Sequence, residues 1–383
     1  VDNTNPAPLN TFPYFPGPNT DAPPPPPTNL TGAVYVQTND ASRNEVIAYR
    51  RSADGTLNLL GAFGTGGKGT GMPRLGSQGP MILSDDNAWL LVANVGSSEI
   101  SLFAVSNDRL TLTDRVASGG QMPFSLTLRG NLLYVLNAGG SVPGGSDNIT
   151  AFTLSPQGKL SPIPGSTRPL SSANTAPAQV QFSSDGSTLV VTEKATSKID
   201  TYAVGANGLA TGPNVSNSSG QTPFGFAFRP GSNVFVVTEA FNATPGAAAA
   251  SSYTITGASA LQLISGTVRD TQTDVCWTVI TNDGRYAYVT NFGSGNISSY
   301  SIAANGSITL LQAIAGTTAQ AEGPRDQDLS GDGRFLYVID VGFANPATQA
   351  VNGFRVETDG KLTKLGAFPL PQFYPALAGL AAQ

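Results

Sequence analysis

One phrase recurs seven times along the chain and leaves little freedom in how it folds. An apolar run ending "YVQT", "LVAN", "YVLN", "VVTE", "VVTE", "YVTN" or "YVID" carries a valine, at Val36, Val92, Val135, Val191, Val237, Val289 and Val338. These valines are roughly 50 residues apart, a period of propeller blades rather than of helical solenoids. Turns such as "SDG", "NDG" and "GDG" precede the phrase, and another apolar run precedes the turn. A third run follows, such as "EISLFAV", "NITAFTL", "KIDTYAV" or "NISSYSI", and then a second turn such as "SPQGKL", "GANGLA" or "ETDGKL". Four short runs separated by Gly, Asn and Asp turns make one four-stranded antiparallel blade.

The run before the Asp-Gly turn occurs near "GPMIL", "PFSLTL", "PAQVQF", "PFGFAF", "VCWTVI" and "PRDQDL", six copies for seven blades. The first unit lacks its copy, and "PALAGLA", Pro375 to Ala381, supplies it from the other end when read in register with "PRDQDLS". The fold predicted is all-β, a seven-bladed β-propeller of four-stranded antiparallel blades. Its ring is closed by a C-terminal strand that joins the N-terminal blade and removes an open sheet edge. Residues 32–383 form the propeller. Residues 1–31, with "PYFPGPNTDAPPPPP", read as a proline-rich arm in extended polyproline-like conformation.

Charged residues are only 12% of the chain, with 20 Lys plus Arg against 25 Asp plus Glu and no basic cluster. Neither nucleic acid nor an anionic membrane surface is expected as a partner. No apolar run reaches the roughly 18 residues of a membrane span. The start at Val1, the proline-rich arm and Asn-x-Ser/Thr sequons at Asn29, Asn148, Asn214, Asn217, Asn242, Asn296 and Asn305 suggest a secreted, extracellular monomer. Sequons at blade turns, such as Asn148 and Asn296, are the ones expected to carry glycan.

Because the chain reverses at each Asp-Gly turn, the start of the first run and the end of the second share one face of the disc. Residues two beyond the repeat valines, Thr38, Asn94, Asn137, Glu193, Glu239, Asn291 and Asp340, are therefore expected around one mouth of the channel. Asn and Asp also serve in turns, where they bond nearby backbone. Glutamate does not, so Glu193 and Glu239 stand out. After the repeat proline the chain carries Phe124, Ala178, Phe224, Cys276 and Ala376, and only one copy has a cation, Arg325. An arginine there can tether two blades through a carboxylate or receive a ligand's carboxylate by paired hydrogen bonds. Glu239 and Arg325 are the candidate catalytic residues. Glu193, Asp340, Asn291 and Asn94 are the candidate ligand-binding residues.

The chain has no histidine, which removes Ser-His-Asp and Cys-His mechanisms and histidine metal sites. Acid–base work near neutral pH falls to a carboxyl group with a raised pKa or to a metal-bound water. Cys276, the single cysteine, sits in the apolar run "DVCWTVIT" and reads as a buried, inert thiol.

The phrases "GPRDQDLSGDGRFLYVIDVG", "SSDGSTLVVTEKATSKIDTYAV" and "TNDGRYAYVTNFGSGNISSYSI" resemble the lactonase-type seven-bladed propellers, which include 6-phosphogluconolactonase and carboxymuconate cyclase. The resemblance covers Ala33 to Gln383 and implies an active site at the channel mouth built from histidine, arginine and glutamate. By the same resemblance Glu239 in "VVTEAF" matches the family glutamate and Arg325 in "GPRD" one of its arginines. The chain departs from the pattern where the family has histidines, at Ala176 and Ala178, and where it has a second arginine, at Phe224.

Two functions follow as expectations. One is a lactonase-like or cyclase-like protein whose mouth takes a small carboxylate or lactone through Arg325, with Glu239 as acid or base. The other is a non-catalytic secreted propeller that binds carbohydrate, peptide or a cell surface. No cofactor is called for, although Glu193, Glu239, Asp340 and the asparagines would suit Ca²⁺ or Mg²⁺ at the mouth.

Overall fold

The structure is a computed structural model that describes residues 30–106, 109–318 and 322–383. Most of the expected arm, residues 1–29, lies outside the described residues, and the first strand begins at Leu30.

Seven antiparallel sheets follow one another, each with the strand nearest the channel first and the outermost strand last. Blades 2 to 7 open with the inner strands Met81–Leu83, Pro123–Arg129, Pro177–Phe182, Pro223–Phe228, Val275–Ile280 and Pro324–Leu329. The repeat valines lie in the second strands and are fully buried, because each blade packs both faces against its neighbours. In blade 3 the outermost strand is broken into Leu160–Pro162 and Arg168–Pro169. The prolines of "SPIPGSTRP" lack the N–H that a continuous strand would use.

Blade 1 is closed from the far end of the chain. Leu380–Ala382 pairs antiparallel with Val34–Val36 inside Leu30–Gln37, so both ends of the sequence share one sheet. The closing strand was expected at Pro375–Ala381, and the observed register differs by two residues. Leu380 stands opposite Val36 as Gln327 stands opposite Val338, so Ala378, not Ala376, occupies the place that Arg325 has in blade 7. The chain crosses to the channel over Pro375–Leu377, and Ala378 and Gly379 already exchange backbone bonds with Gln37. Apolar rhythm alone did not separate that crossing from the strand.

Blade-to-blade bonds follow a simple rule. Tyrosines of the second strands donate to carbonyls of the next blade: Tyr134 to Gly208, Tyr288 to Gly360 and Tyr337 to Gly55, at 2.8, 3.0 and 2.8 Å. Each ring fills the interface while its hydroxyl finds a partner. Around the channel, free edge amides of one inner strand donate to side chains of the preceding blade. Val180 N–H donates to Ser125 Oγ, Phe182 N–H to Thr127 Oγ1, and Phe226 N–H to Gln179 Oε1. At the closure Ala382 N–H donates to Asp328 Oδ2 at 2.9 Å.

The channel does not run through the disc. The glycine-rich connection from blade 1 to blade 2, "TGGKGTGMPRLGSQGP", crosses the axis and plugs it. Gln78 N–H donates to Ala178 O of blade 4, and the Gln78 amide makes both bonds to the backbone of Thr278 in blade 6, at 2.8 and 3.0 Å. Ser77 O accepts the Trp277 indole N–H at 2.9 Å, and Gly79 O accepts from Leu126 N–H of blade 3. On one side of this plug lies a well of about 420 Å³ that opens toward the Asp-Gly turns near Asp85, Asn282 and Gly331. On the other lies a small pocket at the opposite mouth.

Candidate functional site

The residues two beyond the repeat valines do not ring the mouth. They turn into their own blades, where Asn94, Asn137, Glu193, Glu239 and Asn291 are fully buried and Asp340 nearly so. Asn94, Asn137, Glu193, Glu239 and Asn291 each meet a second polar residue that stands opposite the repeat valine on the third strand. Asn94 donates to Ser101 Oγ at 2.7 Å, Asn137 to Thr150 Oγ1 at 3.2 Å, and Asn291 to Ser298 Oγ at 2.8 Å. Ser251 Oγ donates to Glu239 Oε1 at 2.6 Å. Ser101 and Thr150 hydroxyls in turn donate to the strap arriving from the preceding blade, at Thr65 O and Ser118 O.

Glu239 does with a longer arm what the asparagines do. Its Oε1 accepts Gly220 N–H at 2.7 Å, and burial raises its pKa despite the hydrogen bonds that favour its charged form. Gly220 belongs to the strap, and a Cβ there would lie 2.2 Å from Glu239 Oε2. The same close approach holds between Gly67 and Asn94 and between Gly120 and Asn137. Gly220→Ala is therefore expected to destabilise the protein by about 1–3 kcal/mol, the usual cost of overpacking, in denaturant melts. Unchanged stability would mean that the strap stands off from Glu239.

Glu193 fastens the strap of blade 4 by accepting from Ser171 N–H and Oγ–H and from Thr196 Oγ–H. Its third-strand partner is Asp200 rather than a hydroxyl residue. Burial first, then the hydrogen bond and charge of Glu193, push the Asp200 carboxyl up to about 8, so Asp200 holds its proton at neutral pH. The donor set expected to suit Ca²⁺ or Mg²⁺ is not brought together, since Glu193 and Glu239 hold separate straps in blades 4 and 5 and Asp340 lies in blade 7. Among the described residues no group of three His, Cys, Asp or Glu side chains could hold a metal ion.

Arg325 is at the mouth, as its repeat position requires. It is 3% exposed and lines a pocket of about 90 Å³ together with Arg74, Gly76, Phe224, Asp274, Cys276, Trp277 and Phe292. Its Nη1 donates to Leu377 O at 3.2 Å, its guanidinium lies over the Phe292 ring, and its Nη2 has no hydrogen-bond partner among the described residues. No carboxylate is paired with it among the described ion pairs, so the inter-blade tether weighed from sequence is not formed. Burial, with the Arg74 charge adding, pulls its pKa down to about 10, which leaves it protonated at neutral pH.

Two further cations reach this mouth, and sequence reading missed both. Arg74 comes from the plug, lies over Phe292 and Phe343, and makes a 3.7 Å ion pair with Glu322. Lys194 follows Glu193, donates to Gly76 O and Pro177 O, and has its ammonium 5.0 Å from the Phe224 ring centre. Burial lowers its pKa to about 8. Phe224, at the place of the family's second arginine, thus serves as a platform for a cation from elsewhere.

The one carboxyl among the described lining residues is Asp274. It occupies a left-handed backbone position that blades 3, 4 and 5 give to Met122, Ala176 and Thr222, immediately before the inner strand. Burial raises its pKa, and the Cys276 thiol points to its backbone and side-chain oxygens at 3.5 and 3.7 Å. Cys276 is itself buried, with its pKa raised well up by desolvation, as expected of an inert thiol. The arrangement sets two arginines, of which Arg74 is paired with Glu322, against an aromatic floor, with the Asp274 carboxyl at its side.

A closed ring of seven such blades with its pocket at the channel mouth defines a propeller of the lactonase architecture. The chain belongs to the lactonase, 7-bladed β-propeller family, whose model matches residues 42–168 and 165–374. No curated protein sequence matches it. Among solved structures, the periplasmic gluconolactonase PpgL of Pseudomonas aeruginosa is 18% identical, with a TM-score of 0.67 over 91% of this chain and 98% of that one. A Lactobacillus plantarum protein gives 0.70 at 17% identity, with coverage of 91% and 98%. A candidate 6-phosphogluconolactonase of Bacteroides uniformis gives 0.66 at 17%, with the same coverage. At these identities the likeness is one of fold.

Proposed function

We propose that the mouth pocket binds the anionic group of a small carboxylate or lactone, and that the protein hydrolyses a lactone there with Asp274 as the acid–base residue. The observation that carries this reading is the Arg325 Nη2 group, buried and without a partner among the described residues, beside a second arginine. An unpaired buried donor of this kind is costly unless a ligand meets it. A pocket of about 90 Å³ takes one carboxylate or phosphate group and leaves the rest of the ligand toward solvent. Asp274, whose pKa burial raises, is the group to give a proton to the ring oxygen as the lactone C–O bond breaks, and its carboxylate recovers a proton from the water that has added to the carbonyl carbon. Glu239 takes no part in this reading because it is absent from the pocket lining. A secreted location belongs to the same reading. Its glycan sites are then Asn214, Asn217, Asn242 and Asn305, which are exposed, rather than Asn148 and Asn296, which are buried in strands.

Arg325→Ala is expected to weaken binding of gluconate or 6-phosphogluconate by about tenfold or more, equivalent to roughly 1.4 kcal/mol per decade. Asp274→Asn should keep that binding and abolish hydrolysis of the corresponding lactones. Titration calorimetry and a pH-stat assay on the same preparations test both parts. Equal binding by the parent and Arg325→Ala proteins would move the ligand away from this mouth. Hydrolysis that survives Asp274→Asn would remove that residue from the chemistry.

A further inference from the structure

The lining of the mouth pocket constrains what the rest of its ligand is made of. Apart from the two arginines and the Asp274 carboxyl, it consists of three aromatic rings, Phe224, Trp277 and Phe292, with the Cys276 thiol and Gly76. Phe224 and Trp277 lie against each other with ring centres 5.2 Å apart. The Trp277 indole N–H is spent on Ser77 O at 2.9 Å, and the Cys276 thiol points to Asp274. No serine, threonine, asparagine or glutamine stands among the described lining residues, so the side chains that would receive a sugar's hydroxyls are missing. A hydroxyl drawn into this lining gives up water without gaining a partner.

The apolar surface continues outside the pocket. The Arg74 guanidinium lies 4.7 Å from the Phe292 ring centre and 5.3 Å from that of Phe343, so Phe343 stands at the pocket's edge, where it is 47% exposed. The Gln349 amide donates to Val341 O at 2.9 Å and to Tyr374 O at 2.7 Å, and it accepts Tyr374 N–H at 2.8 Å. That clamp holds the loop of Phe343 beside the segment that carries Phe373, also exposed. Exposed rings that adjoin a pocket mark a binding surface more than single scattered ones do. We propose, building on the anion reading above, that the ligand is an amphiphilic acid, with one carboxylate held by Arg325 on a hydrocarbon body that crosses the aromatic lining and emerges over Phe343. A lactone of this class carries alkyl or aryl substituents rather than a row of hydroxyls. Apolar carbon gains by leaving water for these rings, roughly fourfold in affinity for each methylene fully buried.

Gluconate and hexanoate separate the two chemistries, since both carry one carboxylate on a chain of the same length and differ in their hydroxyls. Titration calorimetry on the full-length protein should give hexanoate an affinity about tenfold or more above that of gluconate, and affinity should climb from butyrate to hexanoate. Arg325→Ala should weaken both acids, and Phe343→Ser, at the exposed rim, should cut the advantage of hexanoate by about threefold or more. Equal affinities, or tighter gluconate, that still fall in Arg325→Ala protein would overturn the amphiphilic ligand and leave the anion pocket standing. Binding of neither acid, or affinities that Arg325→Ala leaves unchanged, would remove the anion reading and this proposal with it. A hexanoate advantage undiminished in Phe343→Ser protein would overturn the path over the rim.

Discussion

Deletion of Phe373–Gln383 is expected to abolish cooperative unfolding. The segment contributes Tyr374, Leu377, Leu380 and Ala382 to the largest apolar cluster of the ring. It also supplies the backbone that pairs with Val34–Val36, the carbonyl that holds Arg325 and the amide that holds Asp328. Burying a large aliphatic or aromatic side chain stabilises a fold by about 1.5–3 kcal/mol, so loss of Tyr374, Leu377 and Leu380 alone reaches the lower part of the ~5–15 kcal/mol of a whole domain. Arg51, 2% exposed, would lose its bond to Gln383 O and face an open edge. Calorimetry of the truncated chain should show no sharp transition. A transition at the parent temperature would mean that the ring closes without its last strand.

The second large effect concerns the carboxyl pair of blade 4. Asp200 is fully buried, and its pKa of about 8 in the folded protein stands far above the ~3.9 of an unfolded aspartate. The folded state therefore holds a proton that the unfolded chain has released. The stabilisation is fully present below about pH 4 and is lost progressively as pH rises toward 8, by up to about 1.4 kcal/mol per unit. Asn at this position keeps a donor for Glu193 and removes the titration. Asp200→Asn is expected to flatten the fall in stability between pH 5 and 9 and to exceed the parent by about 2 kcal/mol or more at pH 9. Urea melts across that range check it. Parallel curves for the two proteins would show that Asp200 does not hold a proton in the folded state.

Much of the fold was legible because blade geometry is written locally, in a buried valine, an Asp-Gly turn and a polar residue at a fixed offset. Ring closure was legible too, since six inner runs for seven blades leave one to be found. The register of the closing strand was not, because "PALAGLA" carries no turn signal to mark where the crossing ends. For the site, Arg325 was found as the one cation at its repeat position. Glu193 and Glu239 were misplaced because their partners stand on another strand. That signal existed in the third runs, where "EIS", "NIT", "KID" and "NIS" put Ser101, Thr150, Asp200 and Ser298 at one position. Read as a column, it pairs each strap residue with an inward hydroxyl and shows Asp200 as the exception. Arg74 lay hidden in a loop without repeat character, where only the glycine content and the long interval between Val36 and Val92 hinted at a special path.

The plug has a consequence for when the pocket comes into being. It is synthesised between the first and second blades, yet Ser77 and Gln78 are held by Trp277 and Thr278, 200 residues further on. Such bonds cannot form until most of the chain has been made and folded, since their loop-closure entropy is met only once the intervening blades stand. Arg74 is carried by that same loop and Arg325 by the last blade, so no intermediate of assembly brings the two arginines of the mouth pocket together. A ring that is incomplete, or transiently opened, has only one or neither of them in place.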